Sequence, residues 1–355
     1  MTDNVVLVGP PRVGARVFQS ALASDPSWGP SKLSTSFVID DASDDADPLS
    51  GSDPSHRLHA TDLTPAMRVA IEDASQQVDP GVNVAVDWQP RWALRLGLLA
   101  EALPAACFVV VVRRPVPTIA SLMEAWRSRR FASSTELEGW WGEPWSFPVT
   151  ENWRELIGAP PAAVCASQWA SITSAMLDDL MDLPEDRWVV ASYEGLLADP
   201  EQELTTLTDV LGLAWSGSME LPEVTSSAVT APEATKWSRN ASEIQTQLSE
   251  IEPVVERMLA TARAKRPDLP WPELEGPRLE PPPARTLASE GTPFASVHTP
   301  SVAALLEQAG RSMLITTYKS GHAIIARAAE GKIDTEFTNI NRPMGVATQG
   351  ARLAI

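Results

Sequence analysis

Two short stretches carry the residue types needed to hold an anion. The first is Gly9-Pro10-Pro11-Arg12-Val13-Gly14-Ala15-Arg16, which follows an apolar run and precedes Val17, Phe18, Ala21 and Leu22 at helical spacing. A strand, a loop and a helix in that order aim free backbone N–H groups and the helix dipole at a negative charge. The loop contains no lysine, so it lacks the Gly-Lys-Ser/Thr ending of nucleoside-triphosphate loops, and kinase or ATPase chemistry is disfavoured. The second stretch is Val112-Arg113-Arg114-Pro115, with Ser121 eight residues after Arg113. An arginine at a strand's end and a hydroxyl returned by about two turns of helix can converge on a terminal phosphate. Each stretch also has a plain structural reading, the loop as an ordinary strand-to-helix turn and the arginines as a charged cap on a sheet edge.

The elements that must position these residues are legible nearby. Residues 5–9, 84–87, 108–112 and 188–191 are continuous, Val-rich apolar runs without alternation, as expected of strands covered on both faces in a parallel sheet. After the third run, Ile119, Leu122, Met123 and Trp126 repeat at the spacing of one buried helical face, with Arg127, Arg129 and Arg130 at its end. A later helix is punctuated by Asp199 as N-cap, Pro200 at its first position, buried Leu204, Leu207 and Leu211, and Gly212 as its stop. The expected fold class is α/β, a three-layer fold with a central, mostly parallel sheet and a P-loop-like anion site, plus a short β-rich C-terminal fragment.

Bulk properties bound what the site can serve. The net charge is -18, from 28 basic and 46 acidic residues, which repels nucleic acid and anionic membranes over most of the surface. An anion site must therefore be local, and arginine must build it, because the only lysines are Lys32, Lys236, Lys265, Lys319 and Lys332. No apolar run approaches the roughly 20 residues of a membrane helix, and no export signal opens the chain, so no membrane insertion is expected. Cys107 and Cys165 are the only cysteines, without ligand spacing, which suits a reducing cytoplasm. The four histidines sit in no ligand cluster, and no metal site is expected. Trp126, Trp140, Trp141, Trp145, Trp153 and Trp169 crowd one stretch, where packing is a commoner use than stacking on a ligand.

Taken together, the two anion stretches resemble the sulfotransferase family. In that family a Pro-Arg-Ser-Gly-Thr-Thr-like loop binds a 5'-phosphosulfate, and an Arg-Asp-Pro segment with a serine eight residues on binds a 3'-phosphate. Pro11-Arg12-Val13-Gly14 and Arg113-Arg114-Pro115 with Ser121 occupy those places. Pro90-Arg91, Leu94-Arg95, residues 125–131, Gln168-Trp169, residues 192–200 and Lys236-Trp237 extend the resemblance over about residues 1–265. It implies a donor, 3'-phosphoadenosine 5'-phosphosulfate, bound by Arg12, Val13, Gly14, Ala15, Arg16, Arg113 and Ser121, with Tyr193 and Lys236 as further nucleotide contacts. It also implies sulfuryl transfer to a hydroxyl or amine of a small-molecule or glycan acceptor.

The chain departs from the family pattern at the chemistry. Val13, Ala15 and Arg16 replace three hydroxyl positions of the loop, at about 1 kcal/mol per lost hydrogen bond; a charge-assisted bond from Arg16 would offset most of that sum if it reaches the anion, and the other reading is that Arg16 points to solvent from the first helical turn. Trp88-Gln89-Pro90-Arg91 stands where the family has Lys-Thr-Pro-Arg, leaving Arg91 as the nearest cation, and Arg114 replaces the aspartate of Arg-Asp-Pro. No glutamate occurs before Glu72, so the base candidates are Asp40, Asp41, His56 and His59, with Asp40 and Asp41 also readable as part of a solvated acidic loop. These departures support an alternative in which a catalytically degenerate sulfotransferase fold binds nucleotide or serves as a scaffold. Prolines crowd residues 266–300, which reads as a linker. Within residues 301–355, 301–308 reads as a helix, and 313–318 and 322–327 as a hairpin; this segment resembles the opening of a β-propeller-like domain.

Overall fold

The four apolar runs form the spine of one sheet. The computed structural model describes residues 2–34, 54–134, 137–140, 144–221, 229, 236–268, 300–317, 322–329, 332–339, 347–349 and 352–354. Five strands pair in parallel: β1 (Asp3–Val8), β2 (Trp28–Gly29), β3 (Val84–Trp88), β4 (Cys107–Val112) and, beyond the small antiparallel pair β5 (Ala132–Ser134) and β6 (Trp145–Ser146), β7 (Trp188–Ser192). Their order is β2-β3-β1-β4-β7, with Val6 opposite Asp87 and Phe108, and Val112 opposite Ser192.

Helices cover both faces, which is why the strand centres are mostly apolar. The helices are α1 (Ala15–Leu22), α2 (Pro65–Gln76), α3 (Leu96–Ala102), α4 (Pro115–Ser128), α5 (Pro161–Met181), α6 (Tyr193–Ala198), α7 (Pro200–Leu211), α8 (Ala241–Gln245) and α9 (Leu248–Lys265). Val5, Leu7, Val84, Val109 and Val111 pack with Phe18 and Leu22 of α1 and with Leu204 and Leu207 of α7. Val6, Val8, Phe108 and Val110 face the larger cluster built from α2 to α5, α8 and α9. The result is the expected three-layer α/β fold. Burying each such side chain contributes about 1.5–3 kcal/mol, enough to override weak helix periodicity in α5, whose Val164, Cys165, Trp169, Ile172 and Met176 are all buried.

The expected helix signals are present. Ile119, Leu122, Met123 and Trp126 line the buried face of α4, and Pro115 begins it. Asp199 caps α7 by accepting from the Gln202 N–H at 3.1 Å, and Gly212 ends it in the left-handed region at φ 66°. Of the aromatic run, Trp126, Trp145, Trp153 and Trp169 are buried, with Trp126 and Trp140 edge-on to Trp145 at 5.2 and 5.0 Å, so their use is packing.

The chain divides into two units, Met1–Pro282 and Pro283–Ile355. Arg266, where the proline-rich stretch begins, is buried in the first. Its guanidinium lies 3.2 Å from Glu203 and 3.0 Å from Asp268, while Glu203 accepts the Ser192 N–H at 2.7 Å and so holds the end of β7. The second unit has α10 (Pro300–Ala309) against an antiparallel sheet of β8 (Met313–Thr317), β9 (His322–Ala329) and β10 (Lys332–Asn339), followed by the pair β11 (Ala347–Gln349) and β12 (Arg352–Ala354). The expected helix and hairpin are there, and β10 adds a strand that the hairpin reading did not include.

Candidate functional site

Because β1, β4 and β7 are parallel neighbours, the segments that leave their C-terminal ends share one edge of the sheet. The chain crosses to the other side of β1 between β3 and β4, the place where open α/β sheets form a binding crevice. Gly9 leaves β1 so close to β4 that an added Cβ would lie 2.9 Å from the Val111 carbonyl oxygen. Arg12 takes a left-handed backbone at φ 75°, and Gly14 takes φ 99° at the N-cap of α1. A Cβ on Gly14 would lie 2.1 Å from the Tyr193 ring, so the loop and the residue after β7 are pressed together.

The arginines meet on this frame. The Arg12 Nε–H donates to Ser121 Oγ at 3.0 Å, and an Arg113 N–H donates to the Arg12 carbonyl at 2.7 Å. Arg113 also lies over the Tyr193 ring at 4.5 Å, and Arg12 over Phe131 at 5.5 Å. Burial, and then the charge of Arg113, lower the Arg12 pKa to about 10; burial likewise lowers that of Arg113. Arg12 remains cationic at neutral pH. The Arg113 Nε–H is buried and, among the described residues, has no acceptor, an orphaned donor inside a cluster that otherwise suits an oxyanion. Lys236 lies 2.7 Å from Glu124, which is three residues past Ser121 on α4.

The loop's other departures divide by direction. Val13 and Ala15 are buried in the core beneath α1, so at these two positions the side chains face packing rather than solvent. Arg16 is exposed, and its guanidinium lies over the Trp88 ring at 5.3 Å. Trp88 is half-buried, with its indole Nε1–H enclosed and, among the described residues, unpartnered.

The base candidates are scattered. Asp40 and Asp41 lie outside the described residues. His56 is in the core: its Nδ1 accepts the Val149 N–H at 2.7 Å, and burial, helped by the charges of Arg91 and Arg95, depresses its pKa to about 2. It is a neutral structural histidine. His59 is exposed at the start of a short turn, its N–H donating to Asp62 at 2.7 Å, and among the described residues no contact joins it to the loop. Arg91 follows β3 at the turn before Trp92, near His56.

Three supporting groups were given no role in the sequence reading. Glu194 accepts from the Arg114 N–H and Nε–H at 3.1 and 3.3 Å, tying the arginine pair to the helix after β7. Phe131 forms a floor under Arg12 and stacks on Phe147 at 5.0 Å. Asp87 is fully buried and accepts from the Ser31 N–H, the Ser31 hydroxyl and the Ser34 hydroxyl at 2.8, 2.7 and 2.7 Å. Phe131 and Glu194 fall within the stretches 125–131 and 192–200 that carry the resemblance, and Asp87 is adjacent to Trp88. Among the described residues no group of three or more His, Cys, Asp or Glu is placed to hold a metal ion, and no helix is long and apolar enough to cross a membrane.

A family model described as "Sulfotransferase family" matches residues 4–217, more than half of the chain. No curated protein matches. Solved structures similar to this chain include a sulfotransferase domain from the curacin biosynthetic pathway, with 17% identity, 73% of this chain and 98% of that one covered, and a TM-score of 0.41. A sulfotransferase from Alicyclobacillus acidocaldarius has 16% identity, 74% and 96% coverage and a TM-score of 0.46. A mouse sulfotransferase complexed with PAP has 14% identity, 75% and 89% coverage and a TM-score of 0.36.

Proposed function

Because this chain belongs to the sulfotransferase family, we propose that it transfers a sulfuryl group from 3'-phosphoadenosine 5'-phosphosulfate to a hydroxyl or amine of a small-molecule or glycan acceptor. The observation that carries this reading is the convergence of Arg12, Arg113 and Ser121 at one sheet edge, with the Arg113 Nε–H left unpaired. Arg113 and Ser121 hold the 3'-phosphate, the Gly14, Ala15 and Arg16 N–H groups and Arg12 hold the 5'-phosphosulfate, and Tyr193 and Lys236 flank the nucleotide. The Val13 N–H donates to the Pro10 carbonyl at 3.4 Å, which leaves that residue to shape the loop.

In the transfer, the sulfur–oxygen bond to the 5'-phosphate breaks as one forms to the acceptor oxygen or nitrogen, and the acceptor's proton passes to a base. Arg12 meets the charge that develops on the departing phosphate, and its bond to Ser121 couples that event to the 3'-phosphate side. Asp40 and His59 are the proposed base candidates, and Arg91 the proposed supporting cation. The reaction is assigned to the cytoplasm, where the free thiols of Cys107 and Cys165 are stable. Residues 301–355 are proposed, on resemblance alone, as the opening of a β-propeller-like domain; the family model ends at residue 217.

The test is transfer of label from radioactive 3'-phosphoadenosine 5'-phosphosulfate to a panel of phenols, alcohols, amines and glycans. Transfer that disappears in Arg12→Ala supports the enzyme. The rival, a degenerate fold, draws its support from Trp88 standing where the family has a lysine and from the altered loop; it predicts nucleotide binding with no transfer to any acceptor.

A further inference from the structure

Strand order separates two groups of cations about the loop that follows β1. Arg113, Ser121 and Tyr193 all lie toward β4 and β7, whereas Trp88 ends β3 on the opposite side, in register with Leu7 of β1. Arg16, in the first turn of α1, leans toward that opposite side and places its guanidinium over the Trp88 ring at 5.3 Å. A ligand with one end on Arg113 and Ser121 that crosses the loop therefore directs its other end to Arg16 and Trp88.

This pair is held rather than free. Gln19, one turn beyond Arg16 on the same face of α1, donates to Ser34 Oγ at 3.0 Å and to the Val86 carbonyl at 2.9 Å. Ser34 Oγ in turn accepts the Trp88 N–H at 3.1 Å and donates to buried Asp87 at 2.7 Å. Helix and strand are thus locked at the two residues on either side of the contact. A cation held over a ring face leaves its N–H donors available to an acceptor. Among the described residues none of those donors has an acceptor, and Arg16 is exposed, in a chain whose net charge is -18. The indole contributes its ring face, since its own N–H is enclosed without a partner, a burden that a purely structural phenylalanine would avoid.

We propose that Arg16, held over the Trp88 ring, forms an oxyanion-binding subsite on the β3 side of the loop. This rests on the donor reading above, and the oxyanion is either the sulfuryl group of the donor or an acidic group of the acceptor. Trp88 acts through Arg16 and is a positioning residue.

Calorimetric titration of the full chain with 3'-phosphoadenosine 5'-phosphosulfate and with 3'-phosphoadenosine 5'-phosphate tests the first source. Inorganic sulfate titrated into the phosphosulfate complex tests the second. If the sulfuryl group is the ligand, Arg16→Met weakens phosphosulfate binding by about tenfold and leaves the bisphosphate nearly unchanged. If an acceptor acid is the ligand, sulfate binds the wild-type complex and not the Arg16→Met complex. In either case Trp88→Phe retains the wild-type behaviour, Trp88→Leu reproduces part of the loss, and Trp88→Leu adds nothing to Arg16→Met. The subsite is overturned if Arg16→Met alters neither the preference between nucleotides nor sulfate binding, or if Trp88→Leu is as damaging without Arg16 as with it. Wild-type protein that binds neither nucleotide overturns the donor reading itself, whereas intact binding of both nucleotides with indifferent Arg16→Met overturns the subsite alone.

Discussion

Arg12 works under burial and beside a second cation, and its pKa of about 10 has a consequence for pH. A bound oxyanion favours the charged form, so affinity is highest where Arg12 is already protonated. Affinity for the bisphosphate nucleotide should be flat between about pH 7 and pH 9 and fall as pH rises through about 10, which titration across that range will show. His56 acts in the opposite range. Its folded pKa of about 2 lies below its ordinary 6.5, so the unfolded chain binds the extra proton between those values. Stability is therefore fully present above about pH 6.5 and falls with acid, by at most about 1.4 kcal/mol per pH unit from this group. His56→Gln should lower stability at neutral pH and flatten that acid slope in denaturant titrations. Gly14 is the residue with least latitude, because its φ of 99° is left-handed and the Tyr193 ring occupies the space of a Cβ. Gly14→Ala adds about 1–2 kcal/mol of backbone strain and displaces Tyr193, and nucleotide affinity should fall by at least about tenfold while the circular dichroism spectrum is kept.

Elements differ in how plainly the sequence announces them, and the reason is local. β1, β3, β4 and β7 are legible because strands covered on both faces are continuous apolar runs, and α4 and α7 because proline, aspartate and glycine mark their ends. β2 is two residues long and offers no pattern to read. Arg12, Arg113 and Ser121 are legible because each lies at a fixed distance from a strand end. Glu194 and Phe131 reach the same place from other elements, and no spacing in the sequence records such contacts. Arg266 is the clearest case: it sits among prolines that read as linker, yet it pairs with Glu203 beneath the end of β7. Removing it leaves a buried carboxylate uncompensated. Arg266→Met should destabilise the first unit by about 3–5 kcal/mol in chemical denaturation, and adding Glu203→Met should recover part of the loss.

On the scale of the whole molecule, the same pair sets where the first unit can be cut. A chain ending at residue 270 keeps Arg266 and Asp268 and should stay folded, whereas one ending at residue 265 should lose stability comparable to Arg266→Met, as circular dichroism melts will report. The tail was legible as a helix and, from two β-like runs around Lys319-Ser320-Gly321, as a hairpin, but its third strand was not, because the hairpin reading took in only those two runs. An acidic chain of net charge -18 with cations gathered at one sheet edge should bind a compact polyanion there and little elsewhere. The central claim is that this edge holds a nucleotide phosphorylated at both ends, with Arg113 on the 3'-phosphate. Calorimetry on wild type and Arg113→Ala with 3'-phosphoadenosine 5'-phosphate and with adenosine 5'-phosphosulfate tests it most directly. The account predicts that Arg113→Ala weakens the first ligand by about tenfold or more and the second little. Equal weakening of both ligands, or wild-type protein that binds neither, would contradict it.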